Sequence, residues 1–173
     1  ALGKPTESAL FKQQWQDFQV FENLGFEPSG EGEHVFLDIT KVDTNTDYLA
    51  RELAKLANVP IRQVTYSGLK DRHGVTRQWF AVHLPGKAVQ EPDWRSLQSD
   101  KVHLHKVTRH QKKLRIGAHL TNSFVLRLGD LESTDDLERR LEVIGQQGVP
   151  NYFGEQRFGH QGNNLQMAAR LVS

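Results

Sequence analysis

Residues 34–41 alternate with a period of two. Val35, Leu37 and Ile39 interleave with His34, Phe36 and Asp38, a pattern that predicts a strand. An extended arm precedes a strand predicted at residues 17–24, and the Gly- and Glu-rich segment 25–32 makes a turn between the two. Three glycines fall there, but no Lys-Ser/Thr follows and the flanking acids repel phosphate, so it is not a nucleotide-binding loop.

The period then changes. Thr44, Asn45 and Thr46 offer N-cap oxygens to a helix at residues 45–57, with Leu49, Leu53 and Leu56 on one core-facing side and Pro60 as its stop. Strands follow at 64–69 and 78–84, the second ended by Pro85-Gly86. Residues 86–98 are polar, contain Pro92 and read as a surface excursion. Strand-like runs recur at 102–107, 114–118 and 123–128. Ser133 and Thr134 can cap a helix at 135–147, with acids at its N-terminal end, Leu137, Leu141 and Ile144 inward, and Gly148 and Pro150 at its end. Asn163 or Asn164 can cap a last helix whose Leu165, Ala168, Ala169 and Val172 form a stripe. Strands outnumber helices and several are adjacent in sequence. The expected fold class is α+β, a mixed, mostly antiparallel sheet flanked by helices, in a single domain over 1–173.

Composition narrows the class. Hydrophobic residues make up 37% and charged residues 25% of 173 positions, ordinary for a globular protein. No apolar run approaches the ~18 residues of a membrane span, and the start carries no signal-peptide pattern. With no cysteine, disulfides, iron–sulfur clusters and thiolate zinc sites are excluded within this sequence, which is compatible with a reducing compartment.

The net charge of +1 hides an uneven distribution. Residues 101–127 hold seven Lys or Arg, four His and no acid, whereas residues 130–142 hold six acids and two Arg. A basic block beside an acidic helix fits a phosphate-binding face with a solvated back; lysines guarding an exposed strand edge are the plainer alternative. Arg109, Lys112, Lys113 and Arg115 are the candidates for contact with an RNA backbone. His103 and His105 share a strand face near His110 and His119. Without an acid in the block or a helical His-x3-His pair, no metal site is expected.

The most informative stretch is Gly68-Leu69-Lys70-Asp71-Arg72-His73-Gly74-Val75-Thr76-Arg77-Gln78-Trp79, which places a carboxylate, cations and an imidazole on a connection between strands. Lys70 and Arg72 flank Asp71 and favour its ionised form, which suits a nucleophile or electrostatic stabiliser. A charged hairpin turn is the plainer reading. Three further blocks accompany it. Lys12 and Asp17-Phe18 lead into Leu24-Gly25-Phe26-Glu27-Pro28-Ser29-Gly30-Glu31-Gly32-Glu33-His34. Asn122-Ser123-Phe124 follows, then Val149-Pro150-Asn151-Tyr152-Phe153-Gly154-Glu155-Gln156-Arg157-Phe158-Gly159.

In content and order, these four blocks resemble the signatures of the TruD-type tRNA pseudouridine synthases. The resemblance implies isomerisation of a uridine in the D arm of tRNA, position 13, by a monomeric cytoplasmic enzyme that needs no cofactor or metal. It implies Asp71 as the catalytic aspartate and Phe124 as the ring that stacks on the flipped uracil, where the plainer reading of Phe124 is a core residue. Asn122 would contact the base edge or orient the loop, and Lys12 would pair with Asp71 to keep it ionised. Phe18 would lie near the pocket. Lys70 and His73, close to Asp71 in the chain, are candidates for phosphate contact. No chemical role beyond a phosphate or structural ion pair suggests itself for Arg157. Family members continue through an inserted domain and further catalytic strands, so the chain, which begins at Ala1, reads as an N-terminal portion expected to be inactive alone. The rival class is a non-catalytic RNA-binding module. A metal-dependent nuclease is disfavoured by the lack of clustered carboxylates near the histidines.

Overall fold

The computed structural model describes residues 3–4, 6–86, 91–150, 154, 164 and 167–169. Its strands are β1 (Leu10–Phe11), β2 (Phe18–Asn23), β3 (His34–Val42), β4 (Val64–Tyr66), β5 (Val75–His83), β6 (Val102–His110), β7 (Thr121–Leu126) and β8 (Leu128–Gly129). The helices are α1 (Thr46–Leu56) and α2 (Asp135–Gln147). The class is the expected α+β. The described residues fall into two compact units, one from Ala9–Asp130, the other drawn from Ala1–Ser8 and Leu131–Ser173.

In the first unit the main sheet runs β6-β3-β5-β2-β7, with β4 also on β5. Among the described residues only the β2–β5 pairing is parallel. The alternation at residues 34–41 places Val35, Leu37 and Ile39 opposite Val82, Phe80 and Gln78 of β5. That face buries against Leu49 and Leu53 of α1, as their spacing predicts, with Leu56 packed at the edge. The other face is also covered: Phe36 and Ala81 pack with Leu24 and Leu114. A strand buried on both faces explains why Phe36, out of phase with the valine–leucine–isoleucine series, is fully buried too.

Residues 114–118, expected as a strand, are not one. Leu114 anchors the second core cluster, and Gly117 N–H donates to Ser67 O at 2.6 Å as the chain turns past β4. The excursion at 86–98 is not all surface either, because Trp94, in the short 3-10 helix Trp94–Leu97, is buried in the main core.

In the second unit, α2 has the predicted limits. Asp135 N–H donates to Ser133 Oγ at 3.2 Å, and Arg140 donates to Asp136 Oδ2 at 2.7 Å and to the carbonyl of Lys4 at 2.6 Å. Leu141, expected inward, is 56% exposed. Most of the block at 149–159 and of the last helix lies outside the described residues; Asn164 and Met167–Ala169 are helical. Among the described residues no helix is long and apolar enough to cross a membrane.

Candidate active site

Asp71 sits on the connection between β4 and β5, and buried polar side chains hold that connection from beneath. The phase that buries Val35, Leu37 and Ile39 continues to Lys41, which is fully buried. Its ammonium donates to the carbonyls of Asp71 at 2.9 Å and Lys70 at 3.5 Å. Burial pushes the Lys41 pKa down to about 8; the Asp71 charge opposes this shift and Lys70 adds to it. Thr46 Oγ1, at the start of α1, donates to Gln78 Oε1 at 2.8 Å, and Gln78 Nε2 donates to the carbonyl of Gly68 at 3.2 Å. Asp71 itself is exposed.

The cations beside Asp71 in sequence do not turn to it. Lys70 Nζ meets Glu22 Oε2 at 2.7 Å in a buried ion pair, and Glu22 Oε1 also accepts the Trp79 N–H at 3.1 Å. Arg72 and His73 both turn to Asp43 Oδ1, at 3.3 and 3.2 Å, and the His73 ring stacks on Trp15 with centroids 5.4 Å apart. The cation behind Asp71 is therefore Lys41, which sequence reasoning missed. Its signal was its place in the buried phase of β3. Glu22, likewise in phase with the buried Val20, was also missed.

The loop is joined to β2 on both sides of Asp71. Lys70 reaches Glu22, and Gly74 lies so close to Phe18 that an added Cβ would stand 2.7 Å from the Phe18 carbonyl oxygen. In β2–β7 pairing, Phe124 is opposite Val20 and Asn122 opposite Glu22, so Phe18, Glu22, Asn122 and Phe124 share one face. Phe124 is not a core residue: it is 59% exposed, with its ring centroid 6.3 Å from that of Phe18. Lys12 Nζ lies 3.6 Å from the Phe18 ring centroid, a cation–π contact rather than a partner for Asp71.

A second chain of contacts orients Asn122. Its Nδ2 lies 3.1 Å from His119 Nε2, and His119 Nδ1 lies 2.9 Å from Ser67 Oγ. With both ring nitrogens engaged, the tautomer of His119 is coupled to the direction of the Asn122 amide. Sequence reasoning assigned neither His119 nor Ser67 a part.

The basic block divides. Arg109 Nε donates to Glu91 Oε1 at 2.7 Å and Arg109 Nη1 to the carbonyl of Gly32 at 2.8 Å, so its head is committed within the fold. Lys112, Lys113 and Arg115 are exposed on the segment after β6 and have no carboxylate partner among the described residues. No cluster of three or more His, Asp or Glu suited to a metal occurs among the described residues.

An exposed carboxylate on a loop pinned to a strand face, with two aromatic rings on that face, is where the comparisons with known proteins bear. A model of the family tRNA pseudouridine synthase D (TruD) matches residues 3–173. The chain belongs to the TruD family. It is 54% identical over 171 residues to a tRNA pseudouridine synthase D of Aeromonas hydrophila, covering 99% of this chain and 48% of that protein. It is also 54% identical over 174 residues to one of Methylococcus capsulatus, covering all of this chain and 49% of that protein. The chain thus spans about half the length of the curated TruD relatives it matches. The crystal structure of a Methanosarcina mazei protein described as a TruD superposes with a TM-score of 0.76 at 26% identity, covering 91% of this chain and 37% of that one.

Proposed function

We propose that this chain carries the catalytic aspartate of a tRNA pseudouridine synthase, isomerising a uridine of the D arm, position 13. The observation that carries the reading is the exposed Asp71 on a loop tied at Lys70 and Gly74 to the strand bearing Phe18, opposite the exposed Phe124. Exposed aromatic rings beside a carboxylate suit a flipped base, which stacking and edge hydrogen bonds hold once it leaves the helix. Asp71, a carboxylate able to add to the base or attack the sugar, assists cleavage of the N1–C1′ bond. The freed uracil rotates, C5 bonds to C1′ as any bond to Asp71 breaks, the C5 proton passes to solvent, and N1 takes up a proton from solvent in exchange. Phe124 supplies the stacking face and Asn122 the base-edge contact. Lys12 and Phe18 line the pocket and His73 lies at its rim, while Lys70, its ammonium buried against Glu22, lies beneath it and does not reach phosphate. The reaction draws on no cofactor.

Release of tritium from tRNA carrying C5-tritiated uridine tests this in the full-length protein. One tritium released per target uridine is expected. Binding of the same tRNA without release would instead make the protein a non-catalytic RNA-binding module.

A further inference from the structure

Among the described residues, the Leu24–His34 block is the part of the sequence signature that the site above leaves unused. It folds against the end of β6 through close backbone contact. Gly30 N–H donates to Arg109 O at 2.9 Å, and Ser29 N–H donates to His110 Nδ1 at 3.1 Å. At Gly32 (φ +115°) an added Cβ would stand 2.5 Å from His110 O, so no larger residue fits. The block thereby fixes the segment that carries Lys112, Lys113 and Arg115.

Between them lies a cavity of about 650 Å³, within the ~300–1,000 Å³ range of small-ligand sites. Phe36 and Leu114, both buried, form its floor. Phe26, 40% exposed, and His110 form one wall, their ring centroids 5.3 Å apart. Lys112, Lys113 and Arg115 also line it. The nearby acids are engaged elsewhere: Glu27 faces Lys106 at 3.7 Å, and Glu31 accepts from Gln111 at 2.7 Å. Because His110 Nδ1 accepts the Ser29 N–H, the neutral ring carries its proton on Nε2, a donor with no partner among the described residues.

An apolar floor, an exposed ring, a ring N–H donor and three cations without a carboxylate partner among the described residues together match a nucleotide better than an apolar ligand or a peptide. We propose that this cavity binds one unstacked nucleotide of the tRNA other than the target uridine. The base lies against Phe26, and its phosphates lie at Lys112, Lys113 and Arg115. The proposal rests on the reading of this chain as part of a tRNA-modifying enzyme and adds to it a second point of grip on the RNA. That grip is separate from the face of Phe18 and Phe124.

The test is tRNA binding by the full-length protein across a salt series. Phe26→Leu keeps the apolar volume but removes the stacking ring. It should raise Kd about tenfold at every salt concentration, leave the log–log salt slope unchanged, and leave tritium release at saturating tRNA within about twofold of wild type. Phe26→Trp restores a ring and should bind within about twofold of wild type. A Kd for Phe26→Leu within about twofold of wild type would overturn the cavity, as would equal weakening by Leu and Trp, which signals disturbed packing. If the wild type binds tRNA without releasing tritium, the synthase reading fails, while the Phe26 series still decides the cavity. If it binds no tRNA, both fail.

Discussion

The ammonium of Lys41 donates a 2.9 Å hydrogen bond to the main-chain carbonyl of Asp71, so the residue proposed as catalytic rests on a charge shut away from solvent. Removing that donor leaves a loop carbonyl unsatisfied and frees the carboxylate to drift, and a displacement of about 1 Å can cost ~100-fold in rate. Lys41→Met should lower kcat by about tenfold or more while the KM for tRNA changes little. Lys41→Arg, which keeps a cation there, should recover part of the loss.

The same lysine sets a pH dependence of stability. Its folded pKa of about 8 lies below the ordinary 10.5, so between these values the unfolded chain binds more protons. Stability should therefore rise with pH across this window, by at most about 3 kcal/mol. Well below pH 8 the lysine is charged in both states and contributes no slope. Denaturant unfolding at about pH 8 and about pH 10 measures the rise, and its persistence in Lys41→Met would assign it to other groups.

Asp71→Asn keeps the shape of the loop and removes the charge. Isomerisation should be abolished and tRNA affinity nearly unchanged. Turnover within about tenfold of wild type, ~1.4 kcal/mol in barrier, would contradict the assignment.

Lys112, Lys113 and Arg115 are free to meet phosphate, whereas Arg109 is committed to Glu91 and Gly32. Replacing the first three by Ala should weaken tRNA binding and reduce the salt slope by about 0.7–0.9 for each phosphate no longer neutralised. Arg109→Ala should instead lower the melting temperature and leave the slope near its wild-type value. A flattened slope in Arg109→Ala would show that this guanidinium leaves Glu91 for the RNA.

Glu22 and Lys70 form a buried pair beneath the site. Glu22→Leu strands the lysine and should destabilise the fold by about 3–5 kcal/mol, whereas adding Lys70→Met should recover most of that loss. Equal melting temperatures for the single and double variants would mean that the pair contributes no coupling.

Elements whose periodicity and caps agree were legible in the sequence. Leu49, Leu53 and Leu56 defined α1, Ser133 and Thr134 began α2, and residues 34–41 read as the strand they are. Leu114, Ile116 and Ala118 imitate strand alternation, yet Leu114 is buried while Ile116 is 85% exposed; a tertiary anchor and a turn override local pattern there. The proposed site was legible as residue types, not as partners. Lys70 and Arg72 adjoin Asp71 in the chain, but strand geometry sends their heads to Glu22 and Asp43. Lys41 and Glu22 were hidden because charged residues are read as exposed by default, though each occupies a buried phase of its strand.

The place of β2 in the sheet has a consequence for the order of assembly. Its neighbours are β5, in parallel, and β7, which lies about a hundred positions further along the chain, a costly loop to close. The antiparallel β3, β5 and β6 with α1 can form a self-sufficient nucleus before β7 arrives. Phe18 and Phe124 then meet only at the final closure. Backbone amides of the β2–β7 pair should exchange with solvent sooner than those of β3–β5, so partial opening would dismantle the proposed stacking face while the core behind it stays folded.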